Sequence, residues 1–320
     1  MNKDQLEHNQ IPIYFVAVII AAVGGLLAPQ AAQSLGVLVT PAIAGLMYAM
    51  FLQIPFLELR QGLVNKRFIA ALVVANFVLI PLLVWVITLG LHDQPAILIG
   101  ALLVLLTPCI DYVVVFTHIG KGDARLTLAA TPLLLLLQLA LLPLYLALIP
   151  GSETAVAIAI GPFVEAFVML IAVPLLLAVL TCAGARRSPQ VARWNAGWAW
   201  MPVPAMAAVL IVVIGSQIAF VVREIEQLLP VIPVYLGFMV LAPVLGAMTA
   251  WALRLPAATA RSVTFSSATR NSLVVLPLAL ALPEDMRMLA AAAIITQTLI
   301  ELVCELIYIR VIPALVWRSR

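Results

Sequence analysis

Polar residues along this chain come in short, regularly spaced clusters, with nearly uncharged apolar stretches between them. Cutting at those clusters leaves ten segments, at roughly 11–29, 36–56, 67–90, 95–119, 125–149, 154–183, 198–221, 229–253, 262–282 and 287–314. An α-helix needs about 20 apolar residues to cross about 30 Å of hydrocarbon, and these segments are of that order. The pattern predicts an all-α integral membrane protein with ten transmembrane helices. The linkers are short ("PQAAQSLG", "LHDQPA", "PGSET", "LPEDMR"). The longest, "AGARRSPQVARWNAG" at 183–197, divides the chain near its middle.

Composition agrees. Of 320 residues, 65% are hydrophobic and 10% charged, with a mean hydropathy of +1.17. A soluble domain is about half apolar and about a quarter charged. Cys109, Cys182 and Cys304 lie in apolar runs without CxxC spacing, which argues against a disulfide scaffold or structural zinc. The first apolar run, followed by "APQAAQS", imitates a signal peptide, but the topology needs it as a span. Nothing suggests nucleic-acid binding, and the lipid bilayer is the expected surrounding.

Charge sets the expected orientation. Loops after even-numbered spans carry Arg60, Lys66, Arg67, Lys121, Arg125, Arg186, Arg187, Arg193, Arg254 and Arg261, and the termini add Lys3, Arg318 and Arg320. Loops after odd-numbered spans carry Arg223 and Arg287 alone. Both termini are therefore expected in the cytoplasm of a multi-pass cell-membrane protein. Five spans per half would invert the second half relative to the first. A shift of 163 residues puts Thr107-Pro108-Cys109 on Arg270-Asn271-Ser272, Lys121 on Glu284, and Gln138 on Glu301. The expected division is 1–183, the first inverted repeat (spans one to five) plus span six, and 184–320, the rest of the second repeat. Together they form a single membrane domain.

Three spans hold chemistry. Pro108 breaks span four, because proline removes a helix hydrogen bond, and freed backbone at membrane depth needs protein or a water-filled cavity around it. Asp111 follows one turn later, and an ionisable group there marks a pathway. Span nine, "TFSSATRNSLVVLPLALAL", crowds Ser266, Ser267, Thr269, Arg270, Asn271 and Ser272 together. Unwound backbone lining a site explains this better than a helix contact, and Arg270 is expected to pair with Asp111 or Glu301. In span ten, Gln297, Glu301 and Glu305 share a stripe at i, i+4, i+8, with Thr298 and Cys304 beside it. Glu301 is read as functional and Glu305 as snorkelling or pairing with Arg310.

Other polar residues have plainer readings. Glu165 is a packing carboxylate near Gly161-Pro162, His118 an interface residue, and His92 and His8 belong to a loop and a tail. Trp194, Trp198 and Trp200 form an interfacial belt. Cys182 and Cys304 are small core residues.

"PCIDYVVVFTHIGKGD" resembles the fourth span of arsenical-resistance (arsenite efflux) permeases of the bile acid:sodium symporter superfamily. Pro108, Cys109, Val113 and Lys121-Gly122-Asp123 match that pattern. "TLIELV" resembles their span-ten motif and puts Glu301 on an essential glutamate, while Asn271 matches one asparagine of a span-nine pair. The resemblance implies two five-helix inverted repeats whose broken helices, four and nine, cross. Arg270, Asp111 and Leu134-Leu135 depart from it, and Gln138 is the nearest polar residue in span five.

A secondary transporter, not an enzyme, follows, moving a small-molecule or ion substrate. Cys109 is a soft ligand suited to trivalent arsenic or antimony in transit, and Glu301 the ion- or proton-coupled carboxylate. The competing reading is sodium-coupled symport of an organic anion met by Arg270. The substrate and ion site is expected at Pro108, Cys109, Asp111, Arg270, Asn271, Ser272, Gln297 and Glu301, with Thr107, Gln138, Thr269 and Thr298 as secondary candidates. No resident cofactor or metal is expected, only a coupling sodium ion or proton.

Overall fold

A computed structural model describes residues 9–53, 65–110, 112–149, 165 and 168–316. The first helices are α1 (Gln10–Leu27), α2 (Pro29–Ser34), α3 (Val39–Phe51), α4 (Lys66–Val74), α5 (Ile80–Ile87), α6 (Pro95–Leu105), α7 (Val113–Ile119) and α8 (Ala124–Leu148). Then come α9 (Val173–Ala185), α10 (Pro189–Trp198), α11 (Pro202–Arg223), α12 (Ile225–Leu228), α13 (Val231–Ala252), α14 (Ala257–Ala268), α15 (Ser272–Leu280) and α16 (Glu284–Leu315). Among the described residues, six stretches are long and apolar enough to cross a membrane: Pro29–Phe51, Lys66–Ile87, Ala124–Leu148, Pro202–Arg223, Val231–Ala252 and Glu284–Leu315. Pro12–Leu27, Pro95–Leu105 and Val173–Ala185 are shorter apolar helices. The protein is an all-helical, multi-pass membrane protein.

Helix ends follow the local chemistry. Pro29, Pro95, Pro189 and Pro202 open helices, where the missing N–H would have had no partner anyway. Asn65 and Asp123 cap α4 and α8 by accepting the Phe68 and Leu126 N–H groups at 3.1 and 3.0 Å. The Lys-Gly-Asp turn before α8 is explained by geometry. Lys121 takes a left-handed φ of 57°, and a Cβ on Gly122 would fall 2.5 Å from the Thr117 side chain.

The chain divides into two compact units. The first takes 1–53, 159–226 and 276–282; the second takes 54–158, 227–275 and 283–320. In the first unit the long linker is largely the helix α10, not a loop. Pro189 opens it, and Val191, Trp194 and Trp198 recur at the i, i+3, i+7 spacing of one helix face. The Trp194 indole N–H donates to the Tyr48 hydroxyl at 3.0 Å, and Tyr48 and Thr181 hydroxyls lie 2.9 Å apart.

In the second unit α6 and α16 approach closely. A Cβ on Gly100 would fall 2.5 Å from the Ala290 carbonyl oxygen, so only glycine permits that contact. Two prolines each release a carbonyl four residues back, and a tyrosine takes each one. Pro81 frees Phe77 O, which accepts the Tyr145 hydroxyl at 2.6 Å. Pro243 frees Met239 O, which accepts the Tyr308 hydroxyl. Arg261, expected as a loop charge, is buried in α14 and donates to Val316, Pro313 and Lys121 carbonyls at 3.2–3.3 Å. Carbonyl groups near the end of α16 and in the Lys-Gly-Asp turn hold it there.

Candidate functional site

Span four is two half-helices, α6 and α7, separated around Pro108; span nine is two more, α14 and α15, separated at Thr269–Asn271. The two breaks meet. Pro108 and Arg270 form an isolated antiparallel bridge, with the Cys109 N–H donating to Thr269 O at 3.1 Å and the Asn271 N–H to Thr107 O at 2.8 Å. Backbone groups released from two helices thus satisfy one another, as an interruption at this depth requires. All these residues belong to the second unit.

Arg270 is fully buried. Its Nη2 donates to Ser266 O and Ser267 O at 2.7 Å each and to Asn76 Oδ1 at 2.8 Å, and its Nη1 to Leu105 O at 3.4 Å. Ser266 and Ser267 lie in the last turn of α14, and Leu105 ends α6. Unbonded carbonyls and the negative end of the helix dipole gather at helix C-termini, so one guanidinium caps both half-helices. The Phe238 ring lies 5.5 Å from its centre. The expected pairing with a carboxylate takes a different form. Glu301 meets the backbone N–H of Arg270, not its guanidinium, whose Nη atoms are turned to helix-end carbonyls and Asn76 while its Nε is buried without a partner among the described residues. Asp111 lies outside the described residues.

Glu301 is buried and has polar partners on both oxygens. Its Oε2 accepts the Arg270 N–H at 2.9 Å and Gln297 Nε2 at 2.6 Å, and its Oε1 lies 2.6 Å from the Tyr112 hydroxyl. That hydroxyl is also 2.8 Å from Arg270 O. Glu301 therefore ties α16 to the span-nine break and to the residue preceding α7.

Glu305 is not a snorkelling residue. It is fully buried, with Oε1 2.6 Å from Thr269 Oγ1, because the stripe it shares with Glu301 faces the break. Cys109 is also fully buried. Asn271 Oδ1 caps α15 by accepting the Val274 N–H at 3.2 Å, while its Nδ2, Ser272 Oγ and Gln297 Oε1 are buried without partners among the described residues. Thr107 and Thr298 bond back to their own helices at Leu103 O and Ile294 O. Gln138 is buried, and neither atom of its amide has a hydrogen-bond partner among the described residues. Glu165, His118, Trp194 and Trp200 are exposed. Asn76 and Tyr112 were not anticipated. A lone asparagine inside "LVVANFVLIP" was a readable signal; a tyrosine beside an apolar run was not.

Comparison with known proteins adds one match. The model of the Sodium Bile acid symporter family matches residues 40–229, more than half of the chain and including the span-four break. No curated protein matches the sequence.

Proposed function

The chain belongs to the sodium bile acid symporter family, a family of ion-gradient-driven membrane transporters, and we propose that it exports a trivalent arsenite- or antimonite-type metalloid. The observation that carries this reading is the backbone bridge between the two breaks, with a buried thiol at Cys109 on one side and the Glu301 carboxylate bonded to Arg270 on the other. A neutral metalloid hydroxide needs a soft ligand, and Cys109 supplies it. An organic anion needs a cation, and the Arg270 guanidinium is occupied in holding helix ends together.

Coupling runs through the same place. Glu301 is the ion-coupled carboxylate, and the unpartnered oxygens of Gln297 and Ser272 are ligand atoms a sodium ion would use. Alternating access follows when the broken helices expose the crossing to one side and then the other.

Ten spans in two inverted five-span repeats, with 1–183 holding the first repeat and span six, 184–320 holding the rest of the second repeat, and both termini cytoplasmic, complete the proposal. The order in which the chain visits the two compact units supports it: first (1–53), second (54–158), first (159–226), second (227–275), with a short return to the first at 276–282 before the chain ends in the second. The paired proline–tyrosine contacts support it too, since Phe77 and Met239 are 162 residues apart and Tyr145 and Tyr308 are 163 apart.

Flux into proteoliposomes tests the substrate. Arsenite and a panel of organic anions are offered with and without a sodium or proton gradient. Gradient-dependent arsenite movement is expected. Sodium-dependent movement of an organic anion, with arsenite immobile, would replace this reading by the symport of organic anions.

A further inference from the structure

Glu305 differs from Glu301 in what surrounds it. Glu301 Oε2 accepts two N–H groups, from Arg270 and Gln297, and its Oε1 shares the single proton of the Tyr112 hydroxyl with Arg270 O. Glu305 has one neighbour, Thr269 Oγ1, and its Oε2 is buried with no partner among the described residues. The other ionisable groups beside it are Glu301, Cys304 and Tyr308, all on the same helix. The guanidinium of Arg270 is turned to helix-end carbonyls, so it is not the counter-charge of Glu305.

The Thr269 hydroxyl supplies the decisive count. It lies 2.6 Å from Glu305 Oε1 and 2.8 Å from Phe265 O. Both are acceptors when Glu305 is ionised, and a hydroxyl owns one proton. Either Thr269 donates to an ionised Glu305, leaving Oε2 bare, or a neutral Glu305 donates to Thr269, which then donates to Phe265 O. The same heavy-atom positions serve both states, so a proton can be added or removed without rebuilding the break. Phe265 O accepts the Thr269 N–H at 2.9 Å in either case, so neither state leaves that carbonyl unsatisfied.

We propose that Glu305 is a second, proton-exchanging site of the crossing, switched through Thr269 and distinct from the ion-coupled Glu301. The proton enters from, and leaves to, whichever aqueous side the crossing faces. What the proton is used for rests on the transporter reading above; the site itself rests on the geometry. Glu305 lies four residues after Glu301 on one face of α16, so a cation bound at Glu301 would relieve repulsion between the two carboxylates and favour loss of the proton from Glu305.

The test is infrared difference spectroscopy of the reconstituted protein between acidic and alkaline buffer. A neutral carboxyl shows a C=O stretch that vanishes on ionisation. The wild type is expected to show such a band, Glu305→Gln to lose it, and Glu301→Gln to keep it. Thr269→Val, which keeps the carboxyl but removes its partner, is expected to shift the band to higher frequency, and it stands in should Glu305→Gln not fold. A Glu305→Gln spectrum identical to wild type would overturn the proposal, as would an unshifted band in Thr269→Val. A parallel flux arm counts protons per arsenite, and Glu305→Gln is expected to move fewer. Should the wild type move no arsenite, the metalloid reading fails and the infrared arm alone decides the proton site.

Discussion

The backbone N–H of Arg270 donates to Glu301 Oε2 at 2.9 Å while the guanidinium of the same residue turns away to cap two helix C-termini. One residue thus joins the anion of α16 to the ends of α6 and α14. Its charge is structural, and this yields a prediction. Arg270→Lys keeps the charge but cannot reproduce the planar fork. It is expected to lower stability by about 3 kcal/mol or more, the scale for breaking a buried charged network, seen as a reduced thermal midpoint in detergent. A midpoint equal to that of wild type would show that the carbonyl contacts contribute nothing.

Tyr112→Phe tests the link between span four and Glu301. The ring stays and one hydroxyl goes, so insertion is expected to be normal. Glu301 Oε1 and Arg270 O lose their shared neighbour, at about 1–3 kcal/mol for a buried polar group left unpaired. Turnover in proteoliposomes is expected to fall roughly tenfold or more. Unchanged turnover would remove Tyr112 from the site.

The proline–tyrosine contact of α13 and α16 makes a double-mutant prediction. Tyr308→Phe strands Met239 O and is expected to destabilise by about 1–3 kcal/mol. Adding Pro243→Ala restores a backbone N–H that can reach that carbonyl. The double variant is expected to recover most of the loss in a thermal unfolding series. Additive losses would show that the carbonyl released by Pro243 is not what Tyr308 satisfies.

The parts legible in the sequence were those written in rare residues. Pro108 and the Thr269–Ser272 cluster mark the breaks because proline and crowded hydroxyls are conspicuous among leucines, and Glu301 is conspicuous for the same reason. The partners of Arg270 were not legible. Every residue has a carbonyl, and which ones are left unbonded depends on where each half-helix ends. Arg310, five residues on, suggests a pairing or snorkelling role for Glu305 in the sequence, yet helix phase turns it to Thr269 instead. The helical linker was hidden by its arginines, proline and glycine, although its apolar face was spaced correctly. The proposed repeat has one offset in its favour in the sequence; the two proline–tyrosine contacts that also support it depend on which carbonyl each tyrosine reaches.

The most direct measurement of the metalloid reading is arsenite protection of cells expressing Cys109→Ser at wild-type levels. Serine fills nearly the same volume at this fully buried position and keeps the backbone N–H that bonds Thr269 O, so the crossing should persist. Its hydroxyl is a far poorer ligand for a soft metalloid than a thiol. The account predicts that wild-type protein protects and that Cys109→Ser protects weakly or not at all. Cells fully protected by Cys109→Ser would contradict it.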